Sequence, residues 1–353
     1  MEFHLTTAEA WAVMTEACEQ AKVSIDFEQY IVKADDVGQD FLRLLARKAN
    51  EGLHVRIILD AFGSRAIGKT SVIAELQSAG AEVAFYHRLR PAELFKPLSW
   101  LPRTHAKLLH VDETATYLGS MCLAEYMRSW RDTMVRLEDG LAEAARRDFE
   151  AMWHDLEDGR LDGDGAETIV RAMDACYVSQ NPKGGHYPLY KALVSAIDGA
   201  KHEICIATPY FFPPRRLREA LNRAKARGVR IVLMLSHETD VSVADRVTRA
   251  LLPVWRGKGY EVLLYQRSVL HAKYAIIDGQ WATLGSCNFD YLSLCRNREA
   301  NIILRDPAMV AEVARSFADD AVFARPPKRE DERARSWFDG LMGRIGTMML
   351  QRV

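Results

Sequence analysis

The chain has 353 residues, which suggests about two domains or one large domain with internal symmetry. Hydrophobic residues make up 48% and charged residues 27%, so the chain has the composition of an ordinary globular protein with ample core material. A net charge of −1 excludes a global basic field for nucleic acid, and the six cysteines lack the spacing of zinc ligands.

In chain order, the first half predicts helices that alternate with strands. A helical pattern around Ala8–Ala21 leads to an alternating apolar run at Val23–Phe27, which predicts a strand. A helix follows near Gly38–Asn50, and Gly52 is placed to end it because glycine tolerates the left-handed conformation after a helix. The next strand is predicted at Val55–Leu59.

The second half repeats this plan. Leu189–Gly199 has a helical pattern, and Glu203–Ala207 has the pattern of a strand. Arg216–Arg227 predicts the next helix, Gly228 ends it, and Val229–Leu235 predicts the strand that follows. Helix, glycine and strand therefore recur in both halves, without a gap in the alignment.

A further strand is predicted late in each half, at Val83–Tyr86 and Val262–Tyr265. Strands that alternate with helices indicate an α/β fold. We therefore expect two pseudo-symmetric halves, each a mixed β-sheet flanked by helices. The expected boundaries are an N-terminal half at 1–160, a linker at 161–186, a C-terminal half at 187–325, and a charged hinge with an amphipathic tail at 326–353.

One motif occurs in both halves. It consists of a histidine, a lysine two residues later, an aspartate further along and then a Gly-Ser pair at a fixed offset. The two copies are His105, Lys107, Asp112, Gly119 and Ser120, and His271, Lys273, Asp278, Gly285 and Ser286. A pattern of this length, repeated at matched positions, indicates a shared chemical role rather than structural histidines.

The residue types suit chemistry at a phosphodiester. Residues i and i+2 of a strand share a face, so each motif is expected to present an imidazole beside a fixed ammonium. One histidine would attack the phosphorus and form a phosphohistidine, while the other protonates the leaving alkoxide and then deprotonates an alcohol or water. The lysines would neutralise the phosphate oxygens, so no metal or cofactor is expected.

Other polar residues of the motifs are assigned by their chemistry. The hydroxyls of Ser120 and Ser286 and the amide of Asn288 are candidate phosphate-binding donors. Asp112 and Asp278 complete the candidate catalytic set, although bracing of the motif by local pairing is favoured over a chemical role.

These motifs resemble the twin HKD motifs of the phospholipase D superfamily. Within it, the chain is similar to the bacterial cardiolipin synthases, but without their transmembrane helices. The resemblance extends from roughly Ser24 to Asp319. It implies two phospholipase D-like halves with the active site at their interface.

The resemblance also implies roles for individual residues. His105 would be the nucleophile and His271 the general acid and base, an assignment that the residues alone leave open. Glu299 matches the acid that orients the second histidine, and Asp132 matches the acid that orients the first. One departure is that Cys122 stands where the second copy has Asn288, so the two half-sites are not equivalent.

The implied function is a phosphatidyltransferase that makes cardiolipin, passing a phosphatidyl group through a phosphohistidine to a lipid hydroxyl. Phosphatidylglycerol is the expected substrate. A hydrolytic phospholipase D is the main alternative, and a nuclease of the same superfamily is a more distant one. A lipid-binding protein that has the fold without catalysis is disfavoured, because both histidines and both lysines are present.

We expect the chain to act at a membrane surface. No signal peptide or apolar run of membrane-spanning length is present, so a cytoplasmic protein, peripheral at the inner face of the cell membrane, is expected. Leu94–Pro102 and Trp337–Leu350 are candidate segments for an anionic bilayer, with a lid or core loop and docking on the body as the alternatives. No nucleic-acid partner is expected, and one chain suffices for one active site.

Overall fold

The computed structural model describes residues 1–88, 100–160, 169–172, 174–181, 187–239 and 241–331. This part of the chain forms two compact units. The first comprises the chain up to Pro188 together with Gly285–Cys287 and Arg296–Ile302. The second comprises Leu189–Leu284, Asn288–Cys295 and the chain from Ile303 onward, so short pieces of the second motif region belong to the first unit.

The first unit is built on a seven-stranded mixed sheet with the strand order β1-β7-β6-β5-β2-β3-β4. Strands β2, β3 and β4 are parallel, and the remaining pairs are antiparallel. The strands are β1 (Glu2–Thr6), β2 (Ser24–Gln29), β3 (His54–Asp60), β4 (Glu82–Tyr86), β5 (Leu108–Val111), β6 (Ala115–Gly119) and β7 (Arg131–Leu137).

Within the described residues of this unit, four α-helices accompany the sheet, and a two-stranded hairpin follows them. The helices are α1 (Thr7–Gln20), α2 (Asp36–Asn50), α3 (Ser71–Ser78) and α4 (Asp139–Glu157), and the hairpin is β8 (Ile169–Ala172) with β9 (Ala175–Gln180). Strands β2 and β3 are buried along nearly their whole length, as expected for parallel strands covered on both faces. Phe149 and Trp153 of α4 pack against Ile58 of β3 and Tyr86 of β4.

The second unit repeats the central part of this arrangement. Its strands follow the order β12-β11-β10-β13-β14, with β10, β11 and β12 parallel and β13 and β14 antiparallel. The elements are α5 (Pro188–Gly199), β10 (Glu203–Thr208), α6 (Arg215–Ala226), β11 (Arg230–Ser236), α7 (Ser242–Gly257), β12 (Glu261–Tyr265), β13 (Tyr274–Ile277), β14 (Trp281–Gly285), α8 (Tyr291–Cys295), β15 (Glu299–Leu304), α9 (Pro307–Ala321) and β16 (Ala324–Arg325), with β15 divided between the units.

The predicted helices and strands are confirmed, with shifts of one or two residues at their ends. Gly52 and Gly228 have φ angles of 95° and 89°, the left-handed conformation that ends a helix. From the sequence alone, Arg56 would be taken for a solvated surface residue, but the structure shows otherwise. It is buried, because Asp26 and Glu150 supply carboxylates on either side of its guanidinium.

No helix in the described ranges has the length and apolar character needed to cross a membrane.

Candidate active site

The first histidine lies in an extended segment just before β5, rather than within a strand as expected. This segment runs beside the start of β15, where Thr104 and Arg298 form a parallel bridge. The backbone N–H of His105 donates to the carbonyl of Arg298 at 2.8 Å, and Arg298 donates to the carbonyl of Arg103 at 2.9 Å. This register, within the first unit, brings the His105 ring to the side chain of Glu299.

Glu299 is the acid partner of His105. The Nδ1 atom of His105 lies 3.1 Å from Oε2 of Glu299 and 3.0 Å from Oε1, and both side chains are almost fully buried. A carboxylate only accepts, so the imidazole donates from Nδ1, which leaves Nε2 with the lone pair that a nucleophilic nitrogen needs. The expectation that Glu299 orients the second histidine was therefore wrong, because β15 begins beside the segment that contains His105.

The two motif serines hold carboxylates. The hydroxyl of Ser286 donates to Glu299 at 2.5 Å, and the hydroxyl of Ser120 donates to Asp132. These are the contacts of residues that orient acids, and each hydroxyl has only one proton to donate. The assignment of Ser120 and Ser286 as phosphate-binding donors stays a prediction.

The glycine before each serine is required by close backbone packing. A Cβ atom on Gly119 would lie 2.4 Å from the carbonyl oxygen of Thr133. A Cβ atom on Gly285 would lie 2.4 Å from the carbonyl oxygen of Ala300. The Gly-Ser pair therefore lets the chain approach the neighbouring strand closely enough for the serine to reach its acid.

Each motif lysine folds back onto the histidine of its own motif. The Nζ atom of Lys107 donates to the carbonyl of His105 at 2.6 Å, and Nζ of Lys273 donates to the carbonyl of His271 at 2.5 Å. Both lysines are buried, so the ammonium groups are fixed. Each of these hydrogen bonds uses one of the three N–H protons of the ammonium. The same ammonium can therefore donate to the histidine carbonyl and also bind phosphate oxygens with its other protons.

The motif aspartates brace the backbone, and the expected local pairing is confirmed. Asp112 accepts from the backbone N–H groups of residues 22–24, and Asp278 accepts from those of residues 201–203. Both aspartates have φ angles near 50° in the turn after β5 or β13. Burial alone would raise the pKa of Asp278, but the three backbone donors outweigh it and hold the pKa below its usual value.

The remaining predicted residues are placed as follows. His271 and Asn288 are buried in the second unit, and their catalytic and phosphate-binding roles stay predictions. Asp132, besides its contact with Ser120, accepts from the backbone N–H of Thr133 at 2.9 Å, and its role as an orienting acid also stays a prediction. Cys122 is buried, and its backbone carbonyl accepts from the indole of Trp11.

Comparison with known proteins identifies the family to which the chain belongs. Residues 14–153 and 193–321 match the model of the family described as cardiolipin synthase, PLD-like domain. The chain belongs to this family. The resemblance to the phospholipase D superfamily, and to cardiolipin synthases within it, is confirmed.

Curated members of the family have detectable identity over most of the chain. The cardiolipin synthase of Oceanobacillus iheyensis is 30% identical over 317 residues, which are 87% of this chain and 65% of that protein. Cardiolipin synthase B of Salmonella typhi is 29% identical over 82% of this chain and 73% of that protein. The chain spans about two thirds of the length of the curated relatives it matches.

Solved structures support the fold. The phosphatidylserine synthase of Haemophilus influenzae Rd KW20 matches with a TM-score of 0.76 at 14% identity, over 99% of this chain and 93% of that one. A polyphosphate kinase of Porphyromonas gingivalis matches with a TM-score of 0.62 at 12% identity, over all of this chain and 54% of that one. At such identities, these likenesses concern the fold alone.

One residue beside His105 in this phospholipase D-like fold was missed from the sequence. The ring of Tyr30, just after β2, meets the His105 ring edge-on at 4.9 Å between centroids, and Nζ of Lys107 lies 5.5 Å from the centre of the Tyr30 ring. Burial raises the pKa of Tyr30 well above its usual value, so its hydroxyl stays neutral. The internal repeat could have indicated this residue, because Tyr210 follows β10 much as Tyr30 follows β2.

Asp60 was also missed. It ends β3, is fully buried, and accepts from the backbone N–H groups of Phe62, Gly63 and Thr104 at 2.9 to 3.1 Å. Burial raises its pKa to about 6 despite Arg103 and these donors, which lower it. Asp60 therefore anchors the residue before His105 to the sheet.

The two candidate lipid-contacting stretches are only partly described. Within Leu94–Pro102, residues 94–99 lie outside the described residues, as does all of Trp337–Leu350. Trp100 is 37% exposed and its ring lies 5.9 Å from that of Phe62, which is 47% exposed. Phe62 and Trp100 therefore form an exposed aromatic pair, and Trp100 lies shortly before His105 in the chain.

Proposed function

We propose that the protein is a phosphatidyltransferase that forms cardiolipin through a phosphohistidine on His105. The carrying observation is the hydrogen bond between Nδ1 of His105 and Glu299, which selects the tautomer with a nucleophilic Nε2. Membership in the cardiolipin synthase family and the identity with curated cardiolipin synthases support the choice of reaction.

The first half of the reaction forms the phosphohistidine. Nε2 of His105 attacks the phosphorus of a phosphatidyl donor, and the bond from phosphorus to the leaving alkoxide breaks. His271 donates a proton to that alkoxide, which leaves as an alcohol. The ammonium groups of Lys107 and Lys273 neutralise the non-bridging oxygens as charge develops on them. Glu299 stabilises the positive charge that forms on the His105 ring.

The second half transfers the group. His271, now neutral, takes the proton from the hydroxyl of an acceptor lipid, whose oxygen attacks the phosphorus. The bond between phosphorus and Nε2 of His105 breaks, which regenerates the free imidazole. With phosphatidylglycerol as donor and acceptor, the products are cardiolipin and glycerol. With water as acceptor the product is phosphatidic acid, the outcome of a hydrolytic phospholipase D.

The proposal includes action at an anionic membrane surface on the inner face of the cell membrane, with one chain forming one active site. The exposed aromatic pair of Phe62 and Trp100 supports a surface that meets lipid. Co-sedimentation with vesicles containing phosphatidylglycerol, compared with vesicles of phosphatidylcholine alone, measures this attachment. Equal recovery in both would contradict an anionic preference.

The reaction is tested with phosphatidylglycerol vesicles and separation of the lipids by thin-layer chromatography. Cardiolipin and glycerol are the expected products. His105→Ala and His271→Ala are each expected to abolish turnover, whereas His154→Ala, on the exposed face of α4, is the matched control. Phosphatidic acid as the sole product would replace transfer with hydrolysis, and cleavage of single-stranded DNA without any lipid product would overturn the lipid substrate.

A further inference from the structure

Arg298 is a buried cation that the proposed reaction does not use. Its side chain is 2% exposed and lies between Glu28 of β2 and Asp148 of α4. It donates to Glu28 at 2.9 and 3.1 Å and to Asp148 at 3.1 and 2.8 Å. A planar guanidinium that makes four such bonds fixes the position of both carboxylates.

Hydroxyl groups complete the network around these carboxylates. The phenol of Tyr177 and the hydroxyl of Ser179 donate to Asp148 at 2.8 and 2.9 Å, and the hydroxyl of Thr104 donates to Glu28. One arginine faces two buried acids, so these additional donors are needed to offset the cost of desolvation. A buried polar network with its partners in place holds a single geometry.

One atom connects the network around Arg298 to the residues beside His105 and Glu299. Oε1 of Glu28 accepts from both Thr104 and Arg298. Thr104 is the residue before His105, and Arg298 is the residue before Glu299. The residues that precede the histidine and its acid are thus tied to the same carboxylate oxygen.

This arrangement belongs to one copy of the motif. Glu28 pairs across the sheet with Leu108, the residue after Lys107, and the corresponding partner of Tyr274 in the second unit is Ala207. Alanine has no group that can accept a hydrogen bond from a side chain. The first motif therefore has a carboxylate that accepts hydrogen bonds at a position where the second motif has alanine. This difference is consistent with different roles for the two histidines.

We propose that Glu28, acting through Thr104 and Arg298, is a positioning residue that sets the hydrogen bond between His105 and Glu299. The inference rests on the proposed function, since it concerns His105 as the nucleophile. Glu28 does not touch the reacting atoms, and its effect passes through the backbone of the two neighbouring residues.

Replacement of the Thr104 hydroxyl tests the link with the least disturbance. Thr104→Val has nearly the same size but removes the bond to Glu28, and Thr104→Ser restores it. With phosphatidylglycerol vesicles, Thr104→Val is expected to lower kcat about 10-fold with KM unchanged, because the imidazole is less well aligned while lipid binding is intact. Thr104→Ser is expected to return kcat to within about twofold of the wild type.

A spectroscopic measurement tests the positioning without any activity. The Nδ1 proton of His105 is identified by proton NMR of the full chain through its loss in His105→Ala. Its exchange with water is expected to be about 10-fold faster in Thr104→Val, because a loosened hydrogen bond opens more often. Unchanged exchange in Thr104→Val overturns the positioning role, whatever the activity.

Arg56 supplies the matched control. It lies between Asp26 of β2 and Glu150 of α4, each two residues along the same element from the partners of Arg298. Arg56→Lys is expected to lower the melting temperature while kcat and exchange of the His105 proton stay as in the wild type. Altered exchange in Arg56→Lys would mean general destabilisation and would overturn the proposal.

The two proposals fail separately. If the wild type forms no lipid product but Thr104→Val still accelerates exchange of the His105 proton, the proposed lipid reaction is refuted while the positioning role of Glu28 is retained. If the wild type forms cardiolipin and Thr104→Val leaves exchange of the His105 proton unchanged, the positioning role of Glu28 is refuted while the proposed lipid reaction is retained.

Discussion

The carboxylate of Glu299 accepts a hydrogen bond from Nδ1 of His105 at 3.1 Å, although Glu299 follows the motif that begins at His271. The acid that orients the first histidine thus comes from the region of the second motif. Loss of this acid should therefore impair the formation of the proposed phosphohistidine on His105.

Glu299→Gln is expected to lower kcat about 100-fold, because a neutral amide does not stabilise the charge that forms on the imidazole. Initial rates of cardiolipin formation from phosphatidylglycerol vesicles measure the effect. Glu82→Gln, on strand β4 with a side chain 51% exposed, is the control and should leave the rate unchanged. A raised KM with an unchanged kcat would indicate that the carboxylate contacts substrate instead.

Ser286→Ala distinguishes two roles for the motif serine. Its hydroxyl donates to Glu299, so its removal should lower kcat about 10-fold and leave KM nearly unchanged. A hydroxyl that held a phosphate oxygen of the bound lipid would raise KM when removed. Steady-state kinetics over a range of phosphatidylglycerol surface concentrations separate the two, with Ser71→Ala on the exposed start of α3 as the control.

The repeated plan of helix, glycine and strand was predictable because it depends on local signals. Periodic apolar residues and the glycines after α2 and α6 determine these elements within a few residues of sequence. The twin motifs were predictable for the same reason, since each is defined by residues at fixed short separations in the sequence.

The pairing of acids with histidines was not predictable in this way. It depends on residues 296–302 lying beside the segment that contains His105, a contact between positions about 190 residues apart, and spacing carries no information on such a contact. The buried arginines were missed for a related reason. Burial of Arg56 and Arg298 could not be predicted from the sequence, because arginine is rarely buried without carboxylate partners and these partners lie far away along the chain.

The motif aspartates are expected to affect folding rather than chemistry. Asp278→Asn keeps the side-chain shape and tolerates the positive φ angle, but removes the charge that three backbone donors face. The free energy of unfolding should fall by about 1–2 kcal/mol, and kcat should change by less than about twofold. Urea unfolding and the lipid assay measure the two quantities, and Asp112→Asn should behave alike.

The pH dependence of the Asp278 contribution has a defined sign. Its pKa is lower in the folded protein than in the unfolded chain, so the stabilisation is present above the unfolded value of about 4. It is lost as the pH falls through the folded value. The difference in unfolding free energy between wild type and Asp278→Asn should therefore shrink as the solution is acidified below pH 4, and a difference that grew would contradict the role of the charge.

His110 lies within the first motif, on β5, but is a structural residue. It is buried, Nδ1 lies 2.8 Å from the Thr116 hydroxyl, and its ring packs against Phe149. Burial lowers its pKa to about 3, so the folded protein holds it neutral while the unfolded chain protonates it near pH 6.5. The stability that depends on neutral His110 is present above pH 6.5 and is lost as the pH falls toward the folded value.

His110→Asn removes this titration while it keeps a polar group near Thr116. The stability advantage of the wild type over the variant is expected to be smaller at pH 5.5 than at pH 7, by roughly 1 kcal/mol, because only the wild type takes up this proton on unfolding. Urea unfolding at the two pH values measures the difference, with His154→Asn on the exposed face of α4 as the control. An advantage that is equal at both pH values would mean that His110 is not held neutral by burial.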